Sequence, residues 1–470
     1  MPRFRYLFFV IIGLIIFNSG IHSFAQTDSS KVILKVNDLL IIGNTITKQS
    51  IILRELTFQK GDTIDSVNLA KTLQRSKENV YNTSLFNSVE INYYHTDAND
   101  INIVILLKER WYWWPIPIFE IHERNFNEWW LTKNFDRVVY GGYLVWNNFR
   151  GRNETLSLSL RDGYYHRYDL NYTIPYINKQ QKVGLGFGAG YTNNHEIIYN
   201  VIDNKQAYYK NFNIKALEEY SAEARVTKRD GIYNTHTLFL DYKFDRISDS
   251  VVSLNHDYFL NGKTSQQYFS IAYQFEQDYR DIKIYPLKGY YYTFMVQQLG
   301  FVEKGLNITY LKGAVRKYWK LSEPFYFECG LNGRLSSTYT NQPFFLQSAL
   351  GYGNDYVRGY EYYVVNGQSF GLARAELKWQ LFSPKVFYLP FIPAEKFNSI
   401  PVALYLTAFG DAGYAKDKFY GAGNPLANDW LLGSGVGLDL VTYYNVVWRF
   451  EYSVNRMKET GFFLHFTAPL

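Results

Sequence analysis

The charged residues whose types and spacing could do chemistry lie in the C-terminal half of the chain. Val357-Arg358-Gly359-Tyr360 sits in a Gly-, Asn- and Tyr-rich loop that starts near Ser348 and feeds a strand running to Leu381. Along that strand Arg374, Glu376, Lys378 and Gln380 share one face, and Ala373, Ala375, Leu377, Trp379 and Leu381 share the other. Strict alternation of this kind means one polar and one apolar face. Further on, Phe409, Asp411 and Gly413 alternate with Leu404, Leu406 and Ala408 in the same way. Arg374, Glu376 and Asp411 therefore point to the same polar side. A loop folded back over these strands would bring Arg358 to Asp411, with Gly359 permitting a tight backbone approach. An Arg–carboxylate pair is bidentate and charge-assisted, so its chemistry is to fix geometry rather than to turn over a substrate. Removing one partner of a dry pair costs about 3–5 kcal/mol.

Motifs for turnover are absent. Gly262-Lys263-Thr264 ends like a phosphate loop, but Asp257 stands where that loop needs glycine. His195-Glu196 lacks a second histidine at metal-binding spacing, and there is no Gly-x-Ser-x-Gly elbow. The single Cys329 excludes an intrachain disulfide and a cysteine-based zinc site. No enzyme, metal or cofactor is read. The net charge of +6 comes without a Lys/Arg run, which argues against nucleic acid as a partner.

The elements that must position the charged residues are strands. Met1–Arg5 is basic, Tyr6–Phe17 is apolar, and Ser23-Phe24-Ala25 fits a cleavage site, so residues 1–25 read as a signal peptide. No later apolar run approaches the ~20 residues of a membrane helix. An exported chain of this kind crosses a membrane only as a closed barrel. Its 43 Tyr and 10 Trp suit positions with one wet and one apolar end. Sixteen candidate strands follow, from 116–122 to 460–467. In one, Leu156, Leu158 and Leu160 oppose Thr155, Ser157 and Ser159; in another, Trp448, Phe450 and Tyr452 oppose Arg449, Glu451 and Ser453. The fold read from this is mainly β: a 16-stranded antiparallel transmembrane β-barrel at 111–470, preceded by a small βααββ unit at 32–110. Long connections (193–215, 246–264, 337–367) alternate with short ones (149–151, 229–232, 320–323), as barrels require. The connection at 383–401 breaks the pattern, and Pro390 and Pro393 suggest a folded-back turn. Trp111-Tyr112-Trp113-Trp114 reads as an aromatic belt.

In the small unit, Thr47 is expected to cap a short helix reaching Leu56, and Asp65 a second one carrying Leu69, Leu73 and Val80 on one face. With Gly43-Asn44, Arg54-Glu55-Leu56, Gly61-Asp62 and Leu85-Phe86-x-x-Val89, this order resembles a POTRA domain. The Val357–Tyr360 loop, the Gly367–Glu376 strand, Phe409-x-Asp411-x-Gly413 and Gly435-Val436-Gly437-Leu438 resemble, in order and spacing, the barrel of the BamA/TamA superfamily, the bacterial surface antigen family. Two features depart from it: a single POTRA-like unit, and a C-terminus in which Phe466 stands four residues before the end. The resemblance implies an outer-membrane barrel with its N-terminal domain in the periplasm, assisting insertion or translocation of outer-membrane or secreted proteins without a cofactor. The partners implied are the outer-membrane bilayer, unfolded client proteins, and periplasmic chaperones or lipoproteins. It also implies a latch between Arg358 and the strand of Phe409 and Asp411. A passive outer-membrane pore or structural surface barrel is the alternative the residues leave open.

Overall fold

The computed structural model describes residues 32–121, 129–131, 133, 135, 137–301, 306–338, 342–390, 398–419, 423–442 and 446–467. The signal peptide read at 1–25 lies outside them. The small unit comprises β1 (Ile33–Ile42), α1 (Gln49–Leu53), β2 (Thr63–Asp65), α2 (Ser66–Tyr81), β3 (Phe86–His95) and β4 (Asp100–Glu109). The sheet order is β2-β1-β4-β3, with β1 and β4 parallel. A parallel pair needs a crossover, and α1 and α2 supply it. Ile51, Ile52, Leu69, Leu73 and Val80 pack against Val36, Ile101, Ile103 and Ile105.

Asp65 caps α2 by accepting from the Val67 N–H at 3.0 Å. Thr47 does not cap α1. The N-cap is Lys48, without a side-chain hydrogen bond. Thr47 is claimed instead by Glu109, whose Oε1 accepts from the Thr47 hydroxyl at 2.6 Å and from its N–H at 2.7 Å. A buried carboxylate needs those donors more than a helix terminus next to water does. The three-residue β2 was also not foreseen; the unit is βαβαββ.

The barrel strands are β5 (Trp113–Ile121), β6 (Val138–Phe149), β7 (Glu154–Gly163), β8 (Tyr165–Ile174), β9 (Val183–Asn194), then, after a hairpin of β10 (Glu196–Ile202) and β11 (Lys205–Lys210), β12 (Leu217–Asp230) and β13 (Asn234–Ile247). After helix α3 (Asp249–Leu254) come β14 (Ser265–Asp278), β15 (Gly289–Gly300), β16 (Ile308–Ser322) and β17 (Phe325–Ser336). Two short strands of the next loop, β18 (Ser348–Leu350) and β19 (Val365–Asn366), precede β20 (Ser369–Tyr388), β21 (Ser399–Lys416), β22 (Trp430–Val441), β23 (Val447–Asn455) and β24 (Thr460–Thr467). Sixteen of these form one antiparallel sheet from β5 to β24, with the loop strands left out.

Burial along the wall is inverted relative to a water-soluble protein. Leu377 and Trp379 are 42% and 43% exposed while Glu376 and Lys378 between them are 6% and 4% exposed. Tyr452 and Val454 face out where Glu451 and Ser453 face in. Only a lipid-facing exterior and a polar lumen make this stable.

Two readings change at the wall. The strand read as 116–122 starts at Trp113, which pairs with Trp146. Trp111 and Trp113 are exposed as a belt requires, but Tyr112 turns into the small domain's core and donates to the Leu85 carbonyl at 2.9 Å. Both described flanks of the long connection at 383–401 are strand, Val386 pairing with Pro401 and Tyr388 with Ser399, while 391–397, with Pro393 of the turn read there, lie outside the described residues. The strand before the connection read at 383–401 does not stop there: the ladder resumes past Ser383-Pro384 after a register shift between Phe382 and Lys385. Proline lacks the N–H for a ladder and is accommodated at bulges.

The small domain sits on the short-turn end. Lys48 N–H donates to the Gly151 carbonyl at 2.9 Å, and Asn148 to the Thr47 hydroxyl at 2.8 Å. Arg229 forks onto both oxygens of Glu55. Arg75 and Asn79 reach the Tyr233 hydroxyl, and Asn82 donates to the Asp281 carbonyl at 2.9 Å. Tyr176, from the β8–β9 turn, joins the domain's own core. At the opposite end the β10–β11 hairpin turns through Asp203 and Asn204, both at positive φ as a type I′ turn needs. Asn204 there bonds Val364 and Asn424, drawing three long loops into a lid over the lumen.

Arg229→Ala is expected to cost the docked arrangement about 3 kcal/mol by stranding Glu55. Hydrogen exchange of α2 and the 231–233 turn should rise while the barrel ladder stays protected. Burial pushes the Glu109 carboxyl up, but the Thr47 and Thr45 hydroxyls and the Thr47 and Ile46 amides outweigh it and hold it below the ordinary value. Its contribution to domain stability is therefore full above the unfolded carboxyl value of about 4.3 and is lost as pH falls through the lower folded value. Urea midpoints of the small domain should drop across that window in the wild type and be flatter in Glu109→Gln.

Candidate functional site

The loop between β17 and β20 enters the lumen and presents Arg358 to three strands. Asp411 on β21 takes three hydrogen bonds from it: Nη2 to Oδ1 at 2.8 Å, Nε to Oδ2 at 2.9 Å, and the backbone N–H to Oδ2 at 3.1 Å. Nη1 donates to Glu376 on β20 and, at 3.3 Å, to Glu451 on β23. The guanidinium lies 3.8 Å from the centroid of the Phe409 ring, a close cation–π contact. All five groups are buried, Arg358 to 7% exposure.

The strand register explains why these side chains meet. Arg374, Asp411 and Gly433 form one cross-strand row, continued by Asn455. Glu376, Phe409, Gly435 and Ser453 form the next. The two acidic groups come from adjacent rows and the glycines leave room for the loop. A Cβ at Gly433 would lie 1.8 Å from the Arg358 carbonyl oxygen, and one at Gly413 would lie 2.5 Å from Val357 Cγ2. Gly359 has φ +94°, and its carbonyl accepts from Asn455 at 3.0 Å. Tyr360 closes the turn by donating its N–H to the Val357 carbonyl at 3.0 Å and is itself buried.

Arg374 faces the lumen but serves the loop backbone, donating to the carbonyls of Asn354 and Tyr356 and stacking on the Tyr356 ring. Glu376 is also 3.6 Å from Lys378, which pairs with Glu328 at 2.8 Å and lies over Tyr285. Tyr285 donates to Asp439, an ion-pair partner of Arg449. The charged network thus runs from the loop to the short-turn end. Sequence reading brought together Arg358, Phe409 and Asp411 and turned Glu376 to the lumen, but it did not pair Glu376 with Arg358 and missed Glu451, Gly433, Asn455 and Tyr356. Glu451 had a visible signal, its place on the polar face of β23; Gly433 shows its role only once the loop backbone is placed against it.

A wall apolar outside and charged inside, with one of its own loops anchored in the lumen, is a transmembrane β-barrel with an internal plug loop. A family model described as the Omp85 superfamily domain matches residues 148–465, and a POTRA model, described as surface antigen variable number repeat, matches residues 34–110. The chain belongs to the Omp85 superfamily of outer-membrane barrels and carries a POTRA domain. Among solved structures, BamA from Haemophilus ducreyi lacking POTRA domains 1–3 superposes with a TM-score of 0.50 at 16% identity, over 92% of this chain and 83% of that one. CdiB from Escherichia coli superposes with a TM-score of 0.51 at 11% identity, over 92% and 75%. At these identities the likeness is one of fold. No curated protein sequence matches the chain.

Arg358→Ala should destabilise the folded barrel by about 3–5 kcal/mol, because three buried carboxylates lose their shared cation. The reciprocal swap Arg358→Asp/Asp411→Arg should not restore it. A carboxylate at 358 would face Glu376 and Glu451 as well as the new guanidinium. Urea denaturation of the two variants in lipid vesicles, read by heat-modifiable gel migration, checks both statements.

Proposed function

We propose that this protein assists insertion or translocation of outer-membrane or secreted proteins, with its POTRA domain on the periplasmic side. The observation that carries the reading is the seam. Among the described residues, β5 pairs only with β6 and β24 only with β23. The two edge strands are also short, nine and eight residues against fourteen in β12 to β14. β5 carries Pro115 and Pro117, which have no N–H to offer a ladder. Backbone groups left without partners in lipid are costly. An extended client strand satisfies them by pairing with the edge.

The POTRA domain offers a second open edge. β3 is the outer strand of its sheet, and Tyr93 and Tyr94 on it are exposed. A domain fixed against the barrel mouth holds that edge near the lumen's short-turn end. The passive-pore reading is favoured less, because the loop of Arg358 is anchored inside the lumen by three strands. Clients, chaperones and lipoproteins of the envelope are the partners this reading names. Folding in the bilayer is downhill, so the proposed activity needs no nucleotide or cofactor.

The experiment is folding of an unfolded barrel client in liposomes with and without the protein. The expected result is faster client folding that is lost when residues 32–110 are deleted. No acceleration, together with steady ion conductance through the same liposomes, would overturn the proposal in favour of a pore.

A further inference from the structure

Beside the Arg358 latch, three side chains from three elements converge on one point. Glu361 of the loop, Glu451 of β23 and His465 of β24 bring one ligand atom each within 4.8 Å of the others. His465 Nε2 lies 3.2 Å from Glu451 Oε2 and 3.5 Å from Glu361 Oε1. Tetrahedral coordination with bonds of ~2.0 Å separates its ligands by roughly 3.3 Å. Glu451 is 2% exposed, and neither its Oε2 nor His465 Nε2 makes a hydrogen bond among the described residues despite their closeness. We propose that His465, Glu451 and Glu361 bind a divalent first-row transition cation of the zinc type, leaving one position for water.

Each ligand is aimed by a hydrogen bond on its other polar atom. Glu361 Oε2 accepts from the Gly359 N–H at 2.8 Å, and Glu451 Oε1 from Arg358 Nη1 at 3.3 Å. His465 Nδ1 is 3.3 Å from the Tyr356 hydroxyl, and the two rings stack. In the tautomer with Nδ1–H donating to that hydroxyl, the Nε2 lone pair faces the carboxylates. Such outer partners fix ring orientation and ligand basicity in metal sites. Charge favours the ion as well. Arg358 and Arg374 stand against Asp411, Glu376, Glu451 and Glu361, while Lys378 is matched by Glu328. With His465 neutral, two negative charges remain, and a divalent cation cancels them. Imidazole with carboxylates suits zinc-like ions, whereas magnesium and calcium prefer all-oxygen sites. The bound ion would tie the sheet's last strand to the lumen loop, whatever the barrel's clients.

The test is titration of chelator-stripped, detergent-folded full chain with Co²⁺ and Zn²⁺. The expected result is one equivalent of Co²⁺ giving the visible d–d absorption of a four- or five-coordinate ion, displaced by one equivalent of Zn²⁺. Glu361→Gln and His465→Gln should abolish the band, and Tyr356→Phe should weaken binding by roughly tenfold. Heat-modifiable gel migration confirms that each variant is folded. The proposal is overturned if the folded wild type gives no such band, or if folded Glu361→Gln and His465→Gln bind as the wild type does.

Discussion

A single guanidinium shared by three buried carboxylates governs the interior of this barrel. Each acid would be untenable alone in a lumen crowded with protein, since an unpaired buried charge must find a partner or neutralise. Asp411, Glu376 and Glu451 belong to three different strands, and Arg358 belongs to none. Lys378, Arg374 and His465 on the strands stand near these acids, but the cation common to all three arrives only with the loop, and the loop can bury its arginine only when β20, β21 and β23 stand in this register. Buried ion pairs are weak sources of net stability but strong arbiters of arrangement. Here the arrangement includes Arg374 holding the loop backbone and the relay through Lys378, Tyr285 and Asp439 toward the other end.

The two ends of the barrel are closed by different physics. At the short-turn end an aqueous domain is fixed by directional contacts: the Arg229–Glu55 fork, the tyrosine hydroxyl of Tyr233 and backbone hydrogen bonds. At the long-loop end Ile197, Val251, Phe259, Phe344 and Val364 form an apolar core of their own, pinned by Asn204. Between these fixed ends, no ladder joins β5 to β24 among the described residues.

Much of this was legible because a lipid-facing wall writes its pattern directly into the sequence. The sixteen strand spans, several of them cleanly alternating, match the wall, and an arginine in a glycine-rich loop together with Asp411 on a polar face and the family resemblance pointed to the latch. Alternation gives a side chain's face but not its neighbour across a curved wall. Glu451 was visible as inward-facing, yet its meeting with Arg358 depends on strand register and on the depth of loop insertion. His465 and Glu361 carry no local motif, since their ligand-like grouping exists only after β24 and the loop are brought together. Thr47 and the connection read at 383–401 misled for a related reason: locally the one reads as a helix cap and the other as a folded-back loop. In each case a non-local demand, the buried Glu109 carboxylate or the β20–β21 ladder, prevailed.

The plug also has a consequence for the order in which the molecule is made. Its loop lies 53 residues ahead of Asp411 and 93 ahead of Glu451, and Tyr356 lies 109 ahead of His465. A chain delivered N-terminus first thus presents the key long before its lock exists. Each wall strand after β5, as far as β20, has the preceding wall strand as a neighbour. Arg358 gains its third carboxylate, Glu451, only when the final hairpin is in place. A chain stopped before β23 would leave Arg358 without Glu451, one of the three carboxylates of its anionic cage.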